Sequence, residues 1–290
     1  MPRRAVPGRR ALFASVGGLL LASGAAAADA ARIAVLDWGL VQTCLALGRA
    51  PIGVPAPPWY DRYAGAPLLP PGVTDIGLLF TPNFELVQEL APDAIVIPPA
   101  LGVVRPLLAR IAPVVTGAIF RPAPGALDFA RAGTRRLGLE LGLDAAALEA
   151  ACDAALDAAR AALAGQDGRG LYLVSVLDER HLIVFGAGSL HQDVLTRLGL
   201  RNAWDLPVRG EFATIGAEAL ARDPEARIID ITPGFGSRSA AIARNPVWAA
   251  LPPVRAGRVH RIGPVLGSGG LPAAARFAGL LAEALIRGAA

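Results

Sequence analysis

The sequence predicts an α/β protein of two doubly wound lobes, each built on a central parallel sheet and joined to the other by a long helix. Three observations carry this. Two similar half-motifs run helix, Pro-acid turn, apolar strand: residues 82–97, which end Ala91-Pro92-Asp93-Ala94-Ile95-Val96-Ile97, and residues 215–230, which contain Asp223-Pro224-Glu225-Ala226-Arg227-Ile228-Ile229. Each is the α→β half of a βαβ unit, whose strand is covered on both faces and so reads as an unbroken apolar run. Short strands alternate with helices on either side of the chain's middle, and the middle itself reads as helix alone.

The N-terminus precedes the first lobe. Arg9-Arg10 opens an uncharged run over residues 11–28 that contains Val16, Leu19, Leu20 and Leu21 and ends in alanines. A charged start, an apolar stretch and an Ala-x-Ala end are a secretory signal, with Ala26-Ala27-Ala28 or Ala28-Asp29-Ala30 as its cleavage site. The paired arginines also fit export of an already folded chain. The domain reading is therefore a signal peptide over 1–28, a first α/β lobe over 29–125, a helical segment with the bridging helix over 126–165, and a second α/β lobe over 166–290.

In the first lobe, Ile33-Ala34-Val35-Leu36 is a strand and Leu40, Val41, Leu45 and Leu47 mark a helix that Gly48 closes. Ile52-Gly53-Val54 leads into a loop rich in Pro, Tyr and Trp over 55–72. A short extended piece over 73–77, the first half-motif, a helix over 107–110 and a strand over 113–115 follow. In the middle, Asp144 caps a helix whose apolar positions Leu148, Cys152, Leu156, Ala159 and Leu163 recur at helical spacing, and this helix is expected to bridge the lobes. The second lobe has strands over 171–177 and 181–185, a helix entered through Gly186-Ala187-Gly188-Ser189, the second half-motif, a last strand over 258–262 and a closing helix over 273–287.

Composition excludes several functions. The chain carries 28 basic and 24 acidic residues over 290, and four arginines of the leader account for the excess. A formally neutral mature domain has no basic stripe for nucleic acid. No lysine is present, so no glycine-rich Lys phosphate loop exists. Gly186-Ala187-Gly188 is half a dinucleotide fingerprint, Gly234-Phe235-Gly236 fails in the same way, and Ser189 lacks the flanking glycines of a nucleophile elbow. The expectation is a binding protein rather than an enzyme. His181, His191 and His260 are scattered without ligand spacing, and no metal site built by the protein is expected. Cys44 and Cys152 sit in separate helices and read as buried free thiols.

Residues 83–97, Asp75-Ile76-Gly77, Arg110-Ile111-Ala112-Pro113, Val184-Phe185-Gly186, Asn202-Ala203-Trp204 and Val254-Arg255-Ala256-Gly257-Arg258 come in an order and spacing that resembles the periplasmic iron-siderophore and cobalamin binding proteins of ABC importers. The resemblance runs over essentially the whole mature chain and is greatest to the ferric-hydroxamate (ferrichrome-type) members. It implies a class III periplasmic binding protein of two Rossmann-like lobes. The expected partners are a ferric siderophore, an inner-membrane permease and its ATPase. The resemblance also implies a monomer without an intrinsic cofactor, iron entering only with the chelate. At the positions where those relatives use an arginine and a tyrosine, this chain has Leu79 and Leu101, and Gly210 and Leu266 stand in place of tryptophans. Trp38 persists, and Tyr63 replaces another tryptophan. Cobalamin, haem or a sensory role without a tight ligand remain open alternatives; haem would look to Tyr60 or Tyr63 for an axial ligand.

Open α/β sheets bind ligands at strand ends and the loops after them. That puts Trp38, Trp59, Tyr60, Arg62, Tyr63, Leu79, Phe80 and Leu101 on the first-lobe wall, and Arg209, Phe212 and Leu266 on the second. Aromatic and apolar walls with few polar groups suit a bulky preassembled chelate, while packing is the alternative role for each aromatic. For docking on the permease, the resemblance points to Glu85 or Glu89 on the first lobe and Glu218 on the second.

Overall fold

The computed structural model describes residues 31–233 and 236–288; the leader expected over 1–28 and the Gly234-Phe235 pair lie outside them. The first lobe begins with β1 (Ile33–Val35), α1 (Trp38–Ala46), β2 (Pro51–Val54) and α2 (Pro57–Ala64). It continues through β3 (Thr74–Asp75), a small hairpin of β4 (Gly77–Leu78) and β5 (Thr81–Pro82), α3 (Phe84–Glu89) and β6 (Ala94–Ile97). A 3₁₀ turn over Pro99–Val104, α4 (Arg105–Leu108) and β7 (Val114–Thr116) complete it. The strands form one parallel sheet in the order β3-β2-β1-β6-β7. Its order reverses at β1, so the crevice past the end of β1 is the switch point where such sheets hold ligands.

Two helices follow, α5 (Ala126–Leu141) and α6 (Ala146–Ala162). The crossing between the sheets belongs to α5, a correction to the expectation for the helix begun by Asp144. Leu137 of α5 packs in the first core with Ile33, Val35 and Leu40, whereas its Leu127 and Ala130 pack in the second with Leu190 and Val194. At its middle a methyl on Gly133 would collide with the Ala118 carbonyl, so α5 lies directly on the chain leaving β7. The helix α6 buries Cys152, Leu156 and Ala159 in the second core only. Periodicity gives the buried face of a helix and not which core that face meets, which is why sequence chose the wrong one.

The second lobe contains β8 (Leu171–Val176), β9 (His181–Phe185), α7 (Leu190–Leu198), β10 (Phe212–Gly216) and a 3₁₀ turn over Ala217–Arg222. Then come β11 (Arg227–Asp230), α8 (Gly236–Ala243), α9 (Pro246–Ala250), α10 (Pro252–Arg255), β12 (Val259–Arg261) and α11 (Gly270–Arg287). The sheet order is β10-β9-β8-β11-β12, parallel from β8 to β12 but antiparallel at β9 and β10. The short link between β8 and β9 permits only a hairpin, because a parallel crossover needs a dozen residues or more. The helical half of the second half-motif is likewise shorter than expected, since Ile215 and Gly216 belong to β10.

The helix α11 is a second strut. Phe277, Leu281 and Leu285 fill the second core, and its N-terminal Gly270 approaches Thr43 of α1 and Ile119 of the first lobe. The two sheets thus belong to one compact unit, Arg32–Ala290. Cys44 and Cys152 are free and buried in different cores, where burial pushes their thiols up to about 12 and about 11. No helix of the described residues is long and apolar enough to cross a membrane.

Candidate functional site

Asp37 lies two residues past β1 and accepts the Leu40 N–H at 2.9 Å, which starts α1 and fixes Trp38 at the switch point. The Trp38 indole N–H donates to the Pro55 carbonyl at 2.8 Å, leaving its ring half-buried beside α2. Rings continue from there: Trp38 to Tyr63 with centroids 5.6 Å apart, Tyr63 to Trp59 at 6.2 Å, and the Arg62 guanidinium 5.4 Å above Trp59. Four of the expected residues therefore form one aromatic wall capped by a cation. They do so because residues 57–64 are helical, where a loop was expected; Pro57 and Pro58 occupy the first positions of α2, where a missing N–H costs nothing.

The β4–β5 hairpin stands beside this wall, since Ala56 at the start of α2 donates its N–H to the Gly77 carbonyl and to Asp75 Oδ1. Phe80 at the hairpin tip is 75% exposed, Trp59 is half exposed, and Leu79 is partly covered. Two expected wall residues are not available. Tyr60 faces inward from α2, fully buried, and donates its hydroxyl to the Pro67 carbonyl at 2.8 Å. That also removes it as an axial ligand. Leu101 is buried against Ile76, Val87 and Leu108, because the 3₁₀ turn after β6 folds it back under the sheet.

On the other side, Phe212 is partly exposed and lies edge-on to Phe185 at 6.3 Å, Arg209 is exposed, and Gly210 between them faces Pro122 of the first lobe. Leu266 is half-buried in the segment that links β12 to α11. The same segment touches the first wall, as a methyl on Gly39 would collide with the Ser268 carbonyl. The segments that carry Trp38 and Leu266 are thus in contact.

Sequence reasoning missed two residues there. His191, in the first turn of α7, is buried between Phe185 at 4.7 Å and Phe277 at 4.8 Å, and neither ring nitrogen has a hydrogen-bond partner among the described residues. Burial drives its pKa down from 6.5 to about 4, so the ring is neutral. Glu211 Oε2 is buried and also without a partner, and burial raises its carboxyl above the usual range. A methyl on Gly267 would sit 3.3 Å from His191 Cε1 and 3.6 Å from Glu211 Oε2, so both side chains pack against this glycine. The three residues are far apart in sequence, and no spacing could have revealed them. Among the described residues no group of three or more His, Cys, Asp or Glu side chains is placed to hold a metal.

The docking candidates sit on the outer surface. Glu85 and Glu89 are exposed on α3. Glu218 is exposed after β10, in a groove of about 550 Å³ shared with Arg180, Arg244 and Val247.

Residues 33–266, which carry both sheets, match the Periplasmic binding protein family. The chain belongs to that family. It is 33% identical to the iron(3+)-hydroxamate-binding protein FhuD of Escherichia coli K12, over 90% of this chain and 89% of the relative. Among solved structures it resembles the siderophore binding protein FhuD of Vibrio cholerae bound to Fe3+–Desferal, with a TM-score of 0.82 and 27% identity over 89% of this chain and 98% of the other. The siderophore periplasmic binding protein from the fuscachelin gene cluster of Thermobifida fusca shares the fold at a TM-score of 0.69 and 21% identity, covering 90% and 98% of the two chains. The fold is the class III binding-protein fold that the resemblance implied.

Proposed function

We propose that this chain is a periplasmic substrate-binding protein that captures a ferric siderophore between its lobes and delivers it to an ABC importer. The observation that carries the reading is the Trp38–Tyr63–Trp59 wall at the sheet's switch point. A rigid aromatic face buries a bulky chelate at little entropic cost. The E. coli and V. cholerae relatives, whose names specify ferric hydroxamate and siderophore binding, support the same cargo. The mechanism is capture without a bond made or broken: the wall covers the chelate, Arg62 and Arg209 meet its anionic oxygens, and iron arrives only as cargo.

In this reading residues 1–28 direct export and are removed, and the lobes over 29–125 and 166–290 act as one monomer. Glu85, Glu89 and Glu218 meet the permease, setting orientation and encounter rate. The test is a panel of ferric hydroxamates, catecholates and carboxylates, with cobalamin, haem and iron-free chelators as contrasts, read by tryptophan quenching and calorimetry. Submicromolar binding of a ferric chelate and not its iron-free form is expected. Silence across the ferric chelates would overturn the proposal.

A further inference from the structure

We infer that Gly39 is a specificity-determining position: by letting the start of α1 lie against the backbone of Ser268, it fixes how far Leu266 stands from the aromatic wall, and with that the size of ferric chelate the protein accepts. The inference rests on the transport reading above and concerns which cargo that site prefers.

A methyl on Gly39 would collide with the Ser268 carbonyl oxygen and stand 3.1 Å from its carbon, so the two backbones touch with no side chain between them. Gly39 directly follows Trp38, and Ser268 comes two residues after Leu266. The other end of the same segment is also held. A methyl on Gly65, which closes α2, would stand 2.8 Å from the Pro264 ring, and Arg276 of α11 donates its Nε–H to the Pro264 carbonyl at 2.9 Å. Leu266 therefore lies midway between two fixed points, Pro264 against α2 and Ser268 against α1. Those two helices carry the wall, Trp38 on α1 and Trp59 and Tyr63 on α2. One turn further along α1 the contact continues. Gln42 is fully buried, donates its amide N–H to the Ala66 carbonyl at 2.6 Å, and fills the place where a side chain on Gly269 would be.

Backbone against backbone leaves nothing that can rotate aside. A side chain in the way yields by changing rotamer, whereas here relief requires one whole segment to move. The start of α1 is held twice, by the Asp37 carboxylate on the Leu40 N–H and by the Thr43 hydroxyl, which donates to the Gly39 carbonyl at 3.0 Å. The segment over 264–268 is the part that gives way, and Leu266 moves with it, away from the rings. An apolar site discriminates a single methylene by ~10–200-fold, so a shift of that order changes which chelate fits. Gly39 does this without touching the cargo. It is a positioning residue, and what it sets is a preference for size.

The experiment uses the chain from residue 29, which contains the whole compact unit, and a series of ferric cyclic trihydroxamates whose rings differ only in the number of methylenes between chelating groups. Calorimetry on the unsubstituted protein is expected to show one favoured ring size. In Gly39→Ala the binding constant of the next larger ring, relative to the favoured one, is expected to rise ~10-fold. Gly279→Ala on α11, where a methyl meets nothing within 4 Å, is expected to leave that ratio unchanged. A Gly39→Ala protein that loses affinity equally for every ring, as a purely structural role requires, or that keeps the original ratio, would overturn this inference and leave the transport reading standing. Arg276→Ala releases Pro264 without adding an atom and decides if the first variant fails to fold. It is expected to narrow the spread across ring sizes to within about threefold, and an unchanged spread would overturn the inference. Absence of binding across the series would overturn it as well, and absence of binding by every ferric chelate of the wider panel would overturn both readings.

Discussion

In the first lobe Trp38, Tyr63 and Trp59 lie ring against ring, and the Trp38 N–H is spent on Pro55. In the second lobe the buried His191 imidazole and Glu211 Oε2 have no hydrogen-bond partner among the described residues. The first wall is built of packed rings; the second side carries buried polar atoms. Apolar contact tolerates many shapes, whereas a buried polar atom left unsatisfied carries the full cost of its desolvation.

The sharpest way to break this contrast is to remove the rings. Trp38→Ala deletes the ring at the switch point and its stack with Tyr63. It is expected to weaken ferric-chelate binding by ~2–4 kcal/mol, the range of a central aromatic anchor, as measured by calorimetry. A loss no larger than that of an exposed hairpin residue would show that the wall is packing only.

The polar side is tested through pH. His191 is held neutral in the fold, with a pKa of about 4 against 6.5 unfolded. Its contribution is therefore fully present above pH 6.5 and declines as pH falls toward 4, because the unfolded chain takes up the proton first. The full effect is on the order of 3 kcal/mol. Glu211, which faces it, works with the opposite sign because its carboxyl is raised. Comparing urea midpoints of the unsubstituted protein and His191→Phe between pH 7 and pH 4 isolates the imidazole. The expected result is a smaller acid loss in the variant, and parallel curves would contradict the burial account.

A smaller effect separates ligand wall from core within α2. Tyr60→Phe removes the bond to Pro67 and is expected to cost about 1 kcal/mol of stability, while Tyr63→Ala is expected to act on binding. Melting curves and titrations of the two variants should cross over in this way. The smallest expected effect is on shape: with α5 and α11 both crossing between the sheets, scattering profiles of free and loaded protein should differ only slightly, and a wide-angle closure would contradict the two-strut frame.

The legibility of these regions in the sequence also differed. Strands such as Ile95-Val96-Ile97 and Ile228-Ile229 announced themselves as apolar runs between punctuating Pro and acid residues, and the two-lobed plan followed from them. The position of Trp38 at the switch point was legible because it lies just past the first strand. Tyr60 and Tyr63 were not separable, because a loop was read where two prolines in fact begin a helix, and only helical phase tells which tyrosine turns inward. Leu101 was placed by position and is hidden by a turn that no periodicity marks. His191 and Glu211 owe their character to burial by Phe185, Phe277 and the Gly267 segment, a tertiary property that their neighbours in the chain do not encode.

The most direct test of capture between the lobes is the structure of the protein loaded with the ferric chelate that binds best, with iron located by its anomalous scattering. The account predicts one iron position in the crevice, the chelate covering Trp38 and Tyr63 on one side and reaching Phe212 and Leu266 on the other. Iron bound elsewhere, such as the groove of Arg180 and Arg244, or a chelate that leaves the Trp38–Tyr63 wall bare, would contradict it.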